Sequence, residues 1–427
     1  MTANWFTGDR SGLRLPADTT ALRDGGPALL TRALREFGVL GEDNAVTRID
    51  RVQEVTGGST GRKALLDLTY AAPRPGLCGA LFVKFSRDFT DPQRDRGRTQ
   101  MGSEVRFAAL SVASGFPIAV PRAHFADYQG ETGSAILISE RITYGENGIE
   151  PHYPKCLDYE MPGPVEHYRS IITALARLAG AHRGGRLPTA LTGQFPVDLQ
   201  SATVGEAPVL TPERLERKLV RLAEFAEAHP GLLPAQVRAP GFLARLRREA
   251  PRVLRHRQAI WDHLAAAEEY IALSHWNANV DNAWFWTDEA GALRCGLMDW
   301  GCVSQMNVAM ALWGAMCAAE NALWERHFGE LVTVFCTQAA AAGGPTLDPA
   351  ALARQVLLYA SLMGTTWLLD VPSRVRAAVP DAGTHTDRKD PRIRGDEGVR
   401  APLQMLTNLL CLWESADLGA ALAGLGD

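Results

Sequence analysis

Two hydrophobic periodicities divide this chain. Up to about residue 142 the apolar positions fall in short runs that read as strands: Arg48 to Thr56, Lys63 to Tyr70, Ala80 to Phe85 and Ser134 to Ile142. Ahead of them, Ala28 to Phe37 puts Leu29, Leu30, Ala33, Leu34 and Phe37 on one helical face, with Pro27 at its start, and reads as a packing helix. Ser103 to Val112 is a second helical stretch between strands. From Val165 the period becomes helical: Val165 to His182, Pro212 to Ala228, Gly241 to Gln258 with a kink or restart expected at Pro251, and Ile260 to Ile271. The same period returns in Val308 to Ala319, Trp324 to Ala340, Pro349 to Asp370 and Arg400 to Ala421. One hairpin interrupts the helices, with strands Ala283 to Trp286 and Leu293 to Met298 around the turn residues TDEAGA. The pattern predicts an α+β chain in two parts, a small antiparallel-sheet region over 1–142 and a large helical region over 143–427.

Three segments carry neither period. Arg87 to Arg98 is so charged that it reads as a mobile loop. Gly145 to Gly163 is rich in proline and rings, a loop without a repeating pattern. Asp381 to Gly398 holds nine charged residues without apolar periodicity, which predicts a flexible loop or lid.

Composition narrows the class of function more than it defines it. A net charge of -4 over 427 residues gives no general reason to expect nucleic acid or an anionic membrane as partner. Seven scattered cysteines without C-x-x-C spacing suit reduced thiols in a cytoplasmic protein rather than a disulfide framework or a zinc site. The first residues show no apolar core of signal-peptide length, and Val308 to Ala319 is too short to span a bilayer. The basic stretch with Arg245, Arg247, Arg248, Arg252, Arg255 and Arg257 reads as a solvated amphipathic face, with an acidic substrate or protein partner as the alternative.

Candidate chemistry gathers in three places. The turn GGSTG, Gly57 to Gly61, lets backbone N–H groups approach phosphate oxygens, although an ordinary hairpin turn has the same composition. Lys84 is the one cation in an otherwise apolar run, so it must reach solvent or meet an anion. The stretch Ser274 to Met306 carries two polar clusters, His275-Trp276-Asn277 with Asp281-Asn282, and Asp299-Trp300-Gly301. Asn282 and Asp299 supply the oxygen ligands magnesium prefers, the rest coming from phosphate and water.

That last stretch resembles the catalytic segment of the protein-kinase-like superfamily, most closely its aminoglycoside phosphotransferase and choline kinase branch. The branch has His-x-Asp, an Asn five residues after the Asp, a hairpin, and then an Asp-Phe-Gly-like element. His275, Asn282, Asp299 and Gly301 fall on this pattern, while Asn277 stands where the catalytic Asp is expected. The resemblance implies a bilobal fold with ATP and magnesium as cofactors and a small-molecule hydroxyl as acceptor. It makes Gly57, Gly58, Ser59 and Thr60 candidate phosphate contacts. It also implies a Lys84–Glu104 ion pair that orients the α and β phosphates, with Asp95 and Glu131 as other available carboxylates. Backbone near Ser139 to Arg141 would pair with adenine, His182 would be structural, and the C-terminal helices, with Glu320, Trp367 and Asp370, would build the acceptor pocket.

An amide cannot accept a proton from a hydroxyl, although it can orient one. Three readings follow for Asn277. In the first, the protein is a phosphotransferase in which Asn277 positions the acceptor and Asp281 or the substrate handles the proton. In the second it is a nucleotide-binding pseudokinase that acts through a partner, and in the third a kinase-fold enzyme that transfers another group. The competing role for Asp281 is to brace its loop.

Overall fold

The computed structural model describes residues 4–58, 60–202, 208–416 and 418–423. Two compact units emerge. The first comprises Met1–Asn147 with Leu187–Phe195 and Gly296–Val303, and the second Gly148–Arg186, Pro196–Cys295 and Ser304–Asp427. The expected α+β class is what the structure shows: a small antiparallel sheet in one unit, helices in the other.

The first unit opens with a two-stranded ribbon, β1 (Trp5–Thr7) and β2 (Arg14–Pro16), and helix α1 (Thr19–Glu36). Its main sheet has the antiparallel order β3-β4-β5-β7-β6, from β3 (Val46–Val55), β4 (Arg62–Tyr70), β5 (Ala80–Phe85), β6 (Ala123–Gln129) and β7 (Ser134–Glu140). Alternation decides what each face does. Ala64, Leu66, Leu81, Val83 and Phe85 point inward and pack with Leu22, Leu30 and Leu34 of α1. Lys84 therefore lies on the opposite face. Between β5 and β6 come a short helix α2 (Pro92–Arg96) and helix α3 (Met101–Ser111), whose Met101, Val105 and Ala108 pack on Ala123, Ala135 and Leu137.

Helix α1 starts nine residues before the predicted amphipathic stretch, because Asp18 caps it by accepting from the Ala21 N–H at 2.8 Å. Its backbone leaves helical geometry at Gly26 and resumes at Pro27. The charged segment Arg87 to Arg98 is not a loop without structure. It holds α2, and Asp95 ties it down through Arg87 at 2.7 Å and Arg98 at 3.6 Å. Paired charges hold the segment together where apolar periodicity does not.

The second unit is built from α4 (Pro164–Arg183) onward. A short helix α5 (Thr189–Thr192) belongs to the first unit, and then follow α6 (Pro212–Ala228), α7 (Ala235–Arg238), α8 (Pro240–Arg255) and α9 (Arg257–Ala266). Helix α8 continues through Pro251 to Arg255, and the next helix starts after His256. Its buried face, Phe242, Leu246, Ala250 and Val253, continues past the proline, so packing outweighs the lost hydrogen bond. Strand β8 (Ile271–His275) takes the end of the helix expected to reach Ile271, and all five of its residues are buried. The hairpin of β9 (Ala283–Thr287) and β10 (Leu293–Leu297) follows, its turn held by Asp288, which accepts from the N–H groups of Ala290 and Ala292. Strand β11 (Val303–Asn307) pairs with β8.

Helix α10 (Val308–Met316) has every residue buried, which accounts for a sequence apolar on all sides. The remaining helices are α11 (Asn321–Ala341), α12 (Pro349–Trp367), α13 (Val371–Ala378), α14 (Pro391–Arg394), α15 (Glu397–Ser415) and α16 (Leu418–Ala423). Among the described residues no helix is long and apolar enough to cross a membrane. The segment Asp381 to Gly398, expected as a flexible loop, carries α14 and the start of α15 and buries Ile393. Arg388 pairs with Glu320 at 2.7 Å and Arg394 with Glu160 at 2.8 Å, so its charges are anchored.

Candidate active site

In the first unit the sheet places Lys84 between two carboxylates. Its Nζ donates to Glu104 Oε1 at 2.6 Å and to Asp299 Oδ1 at 2.7 Å. Burial works against the ammonium charge, but Asp299 and Glu104 outweigh it and raise the pKa. Glu104, in the first turn of α3, is the carboxylate on Lys84; Asp95 is spent on Arg87. Asp299 reaches the lysine from a backbone at φ 65° and ψ 61°, a left-handed conformation that costs an aspartate energy and recurs at functional sites. The next residue, Trp300, donates its indole N–H to the Leu297 carbonyl at 3.0 Å and stacks on Phe107 of α3. One helix thus braces both partners of Lys84.

The glycine turn lies next to this group. Gly57, Gly58 and Gly61 adopt φ of 131°, 69° and 53°, which side-chain-bearing residues rarely reach. Arg94 of α2, which sequence reasoning missed, holds the turn through the carbonyls of Gly58 at 2.9 Å and of Gly57 and Gly61 at 3.3 Å and 3.0 Å. Thr60 packs its methyl group against Gly97. Ser59 lies outside the described residues. At the expected hinge, the N–H of Glu140 is bonded to Arg122 O and that of Arg141 to Ala80 O, so a base would use groups other than these two.

In the second unit the residues expected to form a catalytic loop come together as a hydrogen-bonded knot. The Asn277 N–H donates to His275 Nδ1 at 3.1 Å, and Asn282 Nδ2 donates to the Asn277 carbonyl at 2.8 Å. His275 is fully buried, a brace for the loop. Asn279 Nδ2 donates to Asn277 Oδ1 at 2.7 Å, which leaves Asn279 Oδ1 buried without a partner. With both amides reversed, Asn277 Nδ2 donates to Asn279 Oδ1 instead, and Asn277 keeps its oxygen for another donor. Behind the loop, Gly314 of α10 is close enough that a Cβ there would overlap the Trp276 carbonyl.

Asp281 pairs with Lys155 at 3.3 Å, and its Oδ1 is buried without a partner. Burial raises its pKa and Lys155 only partly opposes this, so it is a stronger base than an exposed aspartate. His152 contacts the Asp281 carbonyl at 3.1 Å and the Glu150 N–H donates to Phe285 O, so the Gly145 to Gly163 segment is fastened to this loop and to strand β9. Lys155 and His152 sit among prolines in a stretch without period, which gave no signal for them. His182 accepts from the Leu273 N–H at 3.2 Å, a packing role. Glu320 is engaged by Arg388, and Asp370 by Lys218 at 2.7 Å.

Asn282 and Asp299 each present the chemistry magnesium requires. Asn282 spends its Nδ2 on Asn277, leaving Oδ1 as the donor for a cation, and Asp299 is a half-exposed carboxylate. Among the described residues no cluster of three or more His, Cys, Asp or Glu forms a metal site, so an ion held by either would lean on phosphate oxygens.

No protein-family model matches the sequence, and no curated protein does either. Solved structures similar to this one are small-molecule kinases of the branch named above. Choline kinase from Cryptosporidium parvum Iowa II is 10% identical with a TM-score of 0.44, covering 96% of this chain and 98% of its own. Wild-type aminoglycoside 2'-phosphotransferase-IIIa, in its GDP complex, is 15% identical at 0.40, covering 86% and 94%. An ethanolamine kinase from Plasmodium vivax is 13% identical at 0.42, covering 86% and 83%.

Proposed function

We propose that the protein is an ATP- and magnesium-dependent phosphotransferase acting on a hydroxyl of a small molecule, with Asn277 in place of the usual catalytic aspartate. The observation that carries the reading is Lys84, largely buried and held by Glu104 and Asp299 at 2.6 Å and 2.7 Å. A cation kept charged against burial, beside a strained carboxylate and a glycine turn, suits a nucleotide's phosphates and their metal better than a packing role. Lys84 would neutralise the phosphates while Glu104 fixes its direction. Asp299 of the first unit and Asn282 of the second would each offer an oxygen donor to magnesium, which would supply charge neutralisation on the transferred phosphoryl group. Transfer passes through a loose transition state, so positioning counts for more than full proton abstraction. Asn277 would orient the acceptor hydroxyl and Asp281 would take its proton.

One observation favours a pseudokinase as the second reading: the residue at the base position is an amide already bonded to Asn279. Titration calorimetry with ATP, with and without magnesium, tests what the two share. Binding that strengthens with magnesium in the wild type and loses that dependence in Asp299→Ala is expected; no binding in either condition sinks both.

A further inference from the structure

The first unit holds a second lysine that the reading above does not use. Lys63 of β4 and Lys84 of β5 are Cα partners across the antiparallel pair, so their side chains leave the sheet on one face. Their surroundings differ. Lys84 has two carboxylates. Lys63 has the carbonyl of Gly57 at 3.3 Å and extends so close to Gly58 that a Cβ there would overlap its Nζ. Burial, and then the charge of Lys84, lowers its pKa, so the ammonium sits where an anion would relieve it.

We propose that Lys63 is a second cation for the phosphate tail of the bound nucleotide, reaching it from beneath the glycine turn. The inference rests on the phosphotransferase reading and deepens it. Three features of the geometry point this way. Lys84 spends two of its three N–H donors on Glu104 and Asp299, which leaves one for phosphate. The bond from Lys63 to Gly57 is long, and Arg94 also donates to that exposed carbonyl, so Lys63 can turn to a ligand and leave the carbonyl to Arg94 and water. Gly57 and Gly58 carry no side chain, so neither puts a Cβ between this ammonium and an oxyanion at those two residues.

Calorimetric titrations of adenosine, ADP and ATP with magnesium into wild type, Lys63→Met, Lys63→Arg and the exposed control Arg96→Met separate the outcomes. Loss of a charge-assisted contact to phosphate should weaken ATP by roughly 10- to 100-fold in Lys63→Met. Adenosine should be unaffected, Lys63→Arg should recover most of the loss, and Arg96→Met should match wild type. Lys63→Gln gives the same comparison should the methionine variant fail to fold. Wild type that binds ATP while Lys63→Met and Lys63→Gln bind it equally well overturns this inference alone. Wild type that binds no nucleotide overturns the phosphotransferase reading and this inference with it.

Discussion

Trp300 lies flat on Phe107, ring centroids 3.7 Å apart and planes 12° from parallel. The tryptophan follows Asp299, and the phenylalanine sits one helical turn beyond Glu104, so the stack joins the two segments that supply the carboxylates on Lys84. Removing the stack should loosen both at once. Phe107→Leu keeps an apolar side chain yet gives up the aromatic pair, worth about 1 kcal/mol beyond its area. The expected result is a lower melting temperature together with weaker ATP binding. A lower melting temperature with ATP affinity unchanged would reduce the stack to a packing contact.

Position 277 separates an enzyme from a pseudokinase. If Asn277 orients an acceptor, Asn277→Ala should lower turnover, and Asn277→Asp, which adds a proton acceptor, should raise it; losing a positioned catalytic group typically costs about 10² to 10⁴ in rate. Turnover in the wild type should rise with pH as Asp281 loses its proton. Because burial raises that pKa, the acidic limb should lie higher than an exposed aspartate would place it. Asp281→Asn should abolish the limb while ATP binding stays intact. No turnover in the wild type, with unchanged nucleotide affinity in the variants, would favour the pseudokinase. An unchanged pH profile in Asp281→Asn would leave Asp281 as a loop brace to Lys155.

Much of this was legible because it follows from alternation and helical period. Strand β5 and helix α6 begin and end where the apolar pattern does, and Lys84 is marked by being the wrong residue type inside its run. Strand β6 was not legible, since His124 and Asp127 interrupt its pattern. Both are buried, and Asp127 is satisfied by the N–H groups of Arg10 at 3.2 Å and Ser11 at 2.9 Å, more than a hundred residues away. No local rule anticipates such a partner. Lys63 shows the same limit within the site: alternation puts it on the outer face of β4, but its neighbour depends on a register that only pairing with β5 sets. Arg94 and Lys155 act through long side chains from segments without periodicity, so nothing in the local pattern marks them.

Asp158 makes the stability of the second unit depend on pH. Its carboxyl is buried, accepting from the Tyr168 hydroxyl at 2.7 Å and the Glu320 N–H at 3.2 Å, while Oδ1 has no partner. Burial pushes its pKa up to about 7 and Glu320 adds to this, against the Tyr168 bond and the charge of Arg388. Buried Cys156 lies nearby as a neutral thiol, its own pKa raised well above the ordinary value. The folded state therefore holds a proton that the unfolded chain releases near pH 4. Between those values the native state binds more protons than the unfolded state, so stability is greatest below about pH 4 as far as this group is concerned and falls as pH rises toward 7. The full effect is about 4 kcal/mol, the free energy of moving a carboxyl's pKa from about 4 to about 7. Asp158→Asn keeps an oxygen for Tyr168 and the Glu320 N–H but carries no charge, so denaturant unfolding of this variant should lose that slope between pH 4 and 7 and be more stable than wild type at pH 8. A variant with the wild-type slope would assign the pH dependence to another group.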